Sequence, residues 1–177
     1  MWIFLKGYCS LLKRNLAKLI FGFGIRGLGI QERKMYENLK EEIKEHEGYR
    51  DTVYLDHLSN RTCGYGHLCI EDFWEDNKKY DKEFLEEIFE KDFNIALNDA
   101  NKILEGKPVN HIAREVIIEL VFNIGMPRAK KFVKCLAALD KEDYNEAGNQ
   151  ILDSLYARQV PARAGKLAGK IKSIAAL

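Results

Sequence analysis

Several things are scarce in this sequence. It carries a net charge of only +1 over 177 residues, has no Cys-x-x-Cys pair among its four cysteines, and contains no internal repeat or low-complexity tract. In its first 34 residues the longest uncharged stretch is Leu19 to Ile25. That stretch is far too short to span a bilayer. Lys18 and Arg26 bracket it, so it also matches the apolar region of an ordinary signal peptide poorly. The cysteine spacing leaves Cys9, Cys63, Cys69 and Cys135 expected as free thiols. Cys63, His67 and Cys69, with His57 nearby, are residue types that a structural zinc uses. Strand alternation that buries two small apolar side chains accounts for the same cysteines more simply.

What is present is an ordinary globular composition, 46% hydrophobic and 31% charged. A chain of this length can bury one good core or two small lobes without a disulfide framework. The balanced total hides an asymmetry. Residues 1–34 carry Lys6, Lys13, Arg14, Lys18, Arg26, Arg33 and Lys34 against Glu32 alone, and after Asp153 there are five cations and no acid. Basic ends favour a polyanionic partner such as a cell wall, a membrane or a nucleic acid.

In residues 1–34 the apolar Trp2, Leu5, Cys9, Leu12, Leu16, Leu19 and Phe23 recur every three or four residues, which predicts a basic amphipathic helix ended by the glycines of "GFGIRGLG". Three readings of it stay open: a helix packed on the rest of the protein, a helix on an anionic membrane surface, and an export or anchoring segment. From Met35 the pattern is helical through His46, with Gly48 placed to close it. Strands are expected over Thr52–Asp56 and from Thr62, separated by the turn "HLSN". A long helix capped by Asp81 should run to Gly106 and Pro108. Shorter helices follow, over about 112–124, about 128–139, one capped by Asp140, and one starting near Pro161. The fold class is α+β, mostly helical, with one small hairpin region.

The chemistry concentrates in that hairpin, "EHEGYRDTVYLDHLSNRTCGYGH". Glu47 falls at a helix end and Asp56 on the next strand, so a reversal of the chain brings both to one cleft. Cleavage of a glycosidic bond needs such a pair, one acid to protonate the leaving oxygen and one carboxylate to activate water or attack the sugar. The Thr62 hydroxyl is placed to hold the water, and Tyr54 and His67 to order the surroundings. Asp51, Glu45 and Arg50 stand in the same stretch, and an ordinary charged loop is the rival reading.

The pattern "EGYR…Y.D…RT.GYGH", with Glu47, eight residues, Asp56, five residues and Thr62, then Gly-x-Gly-His, resembles the catalytic signature of phage-type lysozymes, family twenty-four of the glycoside hydrolases. The resemblance runs from about Met35 to the C-terminus and implies a lysozyme-like fold: a hairpin lobe over about 46–80, a linking helix over about 81–105 and a helical lobe over about 106–177, with residues 1–34 as a separate segment. It implies Glu47, Asp56 and Thr62 as catalytic residues and Leu68, Phe122, Cys135 and Gln150 as substrate-binding. His67, Asp92, Asn123, Tyr156 and Arg163 become supporting residues, with Arg163 reaching Glu47 and Asp92 paired to His67. Ser59 stands where the family has a glycine in the hairpin turn, so the left-handed residue is expected at Asn60. Gln150 and Tyr156 replace an asparagine and a tryptophan of the family pattern.

By that resemblance the partner is bacterial peptidoglycan, cut between N-acetylmuramic acid and N-acetylglucosamine by an endolysin made in the host cytoplasm and acting at the cell wall in the periplasm. No metal or other cofactor is implied, a monomer is expected, and an anionic membrane surface is a further partner on one of the open readings of residues 1–34. Two rivals belong to other classes: a wall-binding structural protein that kept the fold without turnover, and a nucleic-acid binder using Lys166, Lys170 and Lys172. Intact Glu47, Asp56 and Thr62 speak against the first. Ordinary solvated lysines explain the second run, so no nucleic-acid partner is expected.

Overall fold

Helix α1 (Glu37–Glu47) forms because Leu39 and Ile43, one turn apart, both bury at 1% exposure or less while acidic and basic side chains cover the rest. Gly48 ends it with φ +72, its amide donating to the Lys44 carbonyl at 3.0 Å. This computed structural model describes residues 36–56 and 59–176. The amphipathic helix expected over residues 1–34, and with it Met35, Cys9 and His57, lies outside the described residues.

The chain then makes a three-stranded antiparallel sheet in the order β1 (Arg50–Leu55), β2 (Arg61–Gly64), β3 (His67–Leu68). Two strands were expected here. The third is only two residues long, too short for any alternation to register in the sequence. Tyr54 stands opposite Thr62, and Thr62 opposite Leu68. The turn before β2 corrects an expectation: Ser59 itself takes the left-handed conformation, φ 63, not Asn60. Asn60 serves otherwise. Its carbonyl accepts from the Asp56 amide at 2.9 Å, which closes the hairpin, and both its amide and its side chain donate to the Asp56 carboxylate. Cys63 and Cys69 sit in a small core with Trp74, Leu85 and Ile88, against Val53, Tyr80 and Phe84. Cys63, Cys69 and Cys135 are free thiols.

Helix α2 (Lys82–Ile103), about 33 Å long at 1.5 Å per residue, follows with a buried stripe of Leu85, Ile88, Phe89, Phe93, Ala96, Leu97, Ala100 and Ile103. Asp81 is its first flanking residue, as expected, but makes no side-chain cap. Helix α3 (His111–Ile124) is the central element of the helical part, capped by the Asn110 side chain on the Ile112 amide and buried along Ala113 and 116–121.

The helix expected over 128–139 is two, α4 (Met126–Ala129) and α5 (Val133–Leu139). Lys131 and Phe132 bond back only three residues, to Arg128 and Ala129, which tightens and ends the first. Helix α6 (Tyr144–Leu152) is capped by Asp143, whose carboxylate accepts from the Glu146 amide; Asp140, the expected cap, closes α5 in right-handed helical geometry instead. A short α7 (Leu155–Gln159), capped by Ser154, was not anticipated, and α8 (Pro161–Lys172) starts at its proline as expected. Helices α6 and α8 pack so closely that a Cβ at Gly148 would stand 2.6 Å from Lys172 Cγ and 3.0 Å from the Ala168 carbonyl. Among the described residues no helix is long and apolar enough to cross a membrane.

Candidate active site

Glu47 is the last residue of α1, and three elements converge on it. From α8, Arg163 Nη1 donates to Glu47 Oε1 at 2.6 Å; from α3, Asn123 Nδ2 approaches the same oxygen at 3.4 Å. From the β2–β3 turn, Gly66 comes so close that a Cβ there would lie 3.2 Å from Glu47 Oε2. Gly66 also has φ +82. The two glycines of "GYGH" thus have separate reasons. Gly66 makes room for the carboxylate, and Gly64, φ +62, brings the sheet against Leu85, whose Cδ2 would be 3.3 Å from an added Cβ.

Asp56 follows the last residue of β1, and its carboxylate accepts from the Asn60 amide at 2.8 Å and from Asn60 Nδ2 at 3.1 Å. Thr62 is buried on β2, its hydroxyl donating to the Asn60 carbonyl at 3.2 Å. Tyr54 stands across the ladder from Thr62. Burial raises its phenol above the ordinary value, the Arg50 guanidinium stacked 4.4 Å from the ring centre opposes this, and the charges of Glu47 and Asp56 both add to it. One side chain therefore feels both acids.

Behind the hairpin, His67 Nδ1 meets Asp92 Oδ2 of α2 at 2.8 Å, the pair expected, and its ring packs 5.3 Å from Trp74. Burial disfavours a charge on His67, yet the hydrogen bond and charge of Asp92, with those of Glu71 at 3.6 Å from Nε2, together outweigh it and hold the imidazole above its ordinary value. This contact fastens the sheet to the long helix.

The remaining expected residues divide. Leu68 is half exposed on β3 beside Thr62, and Phe122 packs 5.6 Å from the Phe89 ring. Tyr156 is 5% exposed, against Phe132; burial pushes its phenol up to about 12, so it is a neutral hydroxyl close enough to Arg163, Glu119 and Glu47 to feel their charges. Cys135 corrects an expectation: at 1% exposure on α5 it is a core residue, not an open groove wall, and burial alone pushes its thiol up to about 12. Gln150 makes a one-turn bond to Glu146 at 2.7 Å within α6. Among the described residues no hydrogen bond links it to the Glu47 cluster.

Sequence reasoning missed Glu119. This residue of α3, 1% exposed, accepts from Arg163 Nε at 3.0 Å and faces His46 Nδ1 at 2.9 Å. Its signal was available: a lone acid inside the apolar run "VIIELVFNI", on the buried side of a helix, where an unpaired carboxylate is untenable. Among the described residues no group of three or more His, Cys, Asp and Glu is arranged to hold a metal ion.

A sequence profile of the family described as Phage lysozyme matches residues 44–169. The chain belongs to the phage lysozyme family. The matched span begins three residues before Glu47 and runs past Arg163, so it takes in every residue of the cluster just described. Two curated relatives are similar across most of the chain. The probable T4-type lysozyme 2 of Dictyostelium discoideum is 25% identical over 157 residues, covering 75% of this chain and 92% of the relative. The probable T4-type lysozyme 1 of the same organism is 24% identical over 163 residues, covering 78% and 96%. Membership makes this phage-lysozyme-family chain a lysozyme-type glycosidase, with peptidoglycan the substrate the family implies. Residues 1–43 fall outside the family match.

Proposed function

We propose that the chain is a muramidase of the endolysin kind, hydrolysing the β-1,4 bond between N-acetylmuramic acid and N-acetylglucosamine by an inverting acid/base mechanism. The observation that carries this reading is the difference in surroundings of two carboxylates, one at the end of α1 and one just past the end of β1. Glu47 is held in a partly closed site by Arg163 and Asn123. Asp56 sits at a hairpin turn, steadied by the Asn60 amide groups.

Glu47 donates its proton to the leaving glycosidic oxygen. For this it must carry a proton in the complex, so bound sugar weakens the Arg163 contact and excludes water, which favours the neutral acid. Asp56 accepts a proton from a water on the opposite face of the sugar, a displacement that requires carboxyls about 6.5–9.5 Å apart. Thr62 donates to the Asn60 carbonyl, so its own oxygen is left to accept from that water. Leu68 and Phe122 supply apolar contact for the sugar rings. In a phage setting the enzyme is made in the host cytoplasm and acts on the wall from the periplasm, lysing the cell, with the basic segment 1–34 against an anionic membrane surface.

The test is clearance of a peptidoglycan suspension by wild type and by Glu47→Gln, with folding of both followed by circular dichroism. Wild type should clear and the folded variant should lose about 10²–10⁴-fold in rate, the usual worth of a positioned proton donor. Wall binding by both without clearance would favour a structural protein. An NMR spectrum of fresh product showing retained anomeric configuration would refute the inverting assignment.

A further inference from the structure

Arg163 presents a problem to the reading above, on which this inference rests. A cation 2.6 Å from a general acid holds on to the anion and opposes the protonated form that the chemistry needs. Arg163 is not free to give Glu47 its whole charge, however. Its Nε–H points to Glu119, a carboxylate with a side chain only 2% exposed, and its own side chain is 8% exposed. Two acids therefore share one guanidinium in a space almost closed to water.

The far side of Glu119 is fixed as well. Lys166 Nζ lies 3.0 Å from His46 Nε2, and an ammonium can only donate, so Nε2 is the acceptor and Nδ1–H donates to Glu119 Oε1. The line runs from Lys166 through His46, Glu119 and Arg163 to Glu47, and joins α8 to α1 twice and each of them to α3 once. Of the other charged groups on these elements, Lys170 is engaged by Glu42 and Glu115 at 2.9 Å each, and Glu45 lies on the His46 side. From α7 the Tyr156 hydroxyl, whose pKa burial pushes up to about 12, stands close enough to feel the charges of Arg163, Glu119 and Glu47.

We infer that Glu119 is a positioning residue for catalysis: it holds the Nε edge of Arg163 and takes up part of its charge, so that Arg163 orients Glu47 without fixing it as an anion. Glu119 touches neither substrate nor the reacting atoms. It acts through Arg163. The residue is visible neither in the "EGYR…GYGH" signature nor as a charge run, because its partners come from two other helices.

The test is the pH dependence of kcat/KM for wall hydrolysis in Glu119→Gln, which keeps a side-chain oxygen for Arg163 Nε but removes the charge. The alkaline limb, which reports loss of the acid's proton, should move down by about one pH unit, so that above the limb the variant is about tenfold slower than wild type while the two agree more closely at acid pH. An alkaline limb unmoved in folded Glu119→Gln overturns the inference, even if the melting temperature falls, since a purely structural acid changes stability without moving the limb. Should that variant not fold, Glu119→Asp replaces it. A charge drawn back by one methylene should move the limb in the same direction by less, and an unmoved limb again overturns the inference. Glu47→Gln is run alongside: full activity there would overturn the proposed acid, and with it the role of Glu119, whereas an inactive Glu47→Gln with an unmoved limb in Glu119→Gln would overturn the role of Glu119 alone.

Discussion

Glu47 and Asp56 are nine residues apart and chemically near identical, yet the protein handles them by different means. Glu47 is held by helices, through a guanidinium from α8 and an amide from α3, in a cluster whose second carboxylate is almost wholly buried. Asp56 is held by its own turn, through hydrogen bonds from a residue four positions on. Under the proposed mechanism the contrast gives two carboxylates two tasks: the acid is placed by tertiary packing and the base by a short hairpin.

The contrast can be broken most severely at Arg163. Replacing it with methionine leaves Glu47 and Glu119 facing each other across an apolar side chain, and should destabilise the protein by about 3–5 kcal/mol in urea denaturation, the usual cost of removing one partner from a buried ion pair. A loss below about 1 kcal/mol would mean that the cluster rearranges freely and that the two carboxylates are less different than they look.

The hairpin half is tested next at His67. Because its folded pKa is raised above the unfolded value of about 6.5, the stability it contributes is fully present below pH 6.5 and is lost as the pH rises through the folded pKa. Asp92→Asn should therefore cost about 1.5–3 kcal/mol at pH 5, the range for a hydrogen bond to a charged group, and progressively less towards pH 9. Melting curves of wild type and variant across that range would show the gap closing. A gap constant with pH would show that His67 stays neutral throughout.

The gentlest test is at the turn beside Asp56. Ser59 holds a left-handed conformation that costs a residue with a Cβ about 1–2 kcal/mol, while glycine there adds freedom to the unfolded chain worth roughly 0.4–1 kcal/mol. Ser59→Gly should thus raise stability by about 0.5–1 kcal/mol in thermal or urea unfolding. Activity should change little if the Asn60 contacts keep Asp56 in place.

Much of the molecule was legible in one dimension where local rules govern. Helix α1 and its glycine stop, the long α2, the start of α8 at Pro161 and the run from Glu47 to His67 all follow from periodicity, backbone restriction and motif spacing. The misreadings also have local causes. The break between α4 and α5 depends on a tightened turn with no glycine to mark it, and the shift of the α6 cap from Asp140 to Asp143 depends on which of two nearby acids leaves the preceding helix first. Cys135 was misplaced because a small side chain in a helix looks the same in sequence whether it faces a groove or the core.

By itself, then, the sequence determined the mostly helical α+β class, the hairpin and the identity of the residues on it, because turns, caps and a compact motif depend on neighbours along the chain. Only the tertiary structure decided that Glu119 and His46 stand behind Arg163 at Glu47. Arg163, Glu119, Asn123 and His46 come from three helices; the two that reach Glu47, Asn123 and Arg163, lie 76 and 116 residues along the chain from it, and no pairwise spacing announces which acid will share which guanidinium. Charges act through space at a few ångströms, and that distance is set by how α1, α3 and α8 pack.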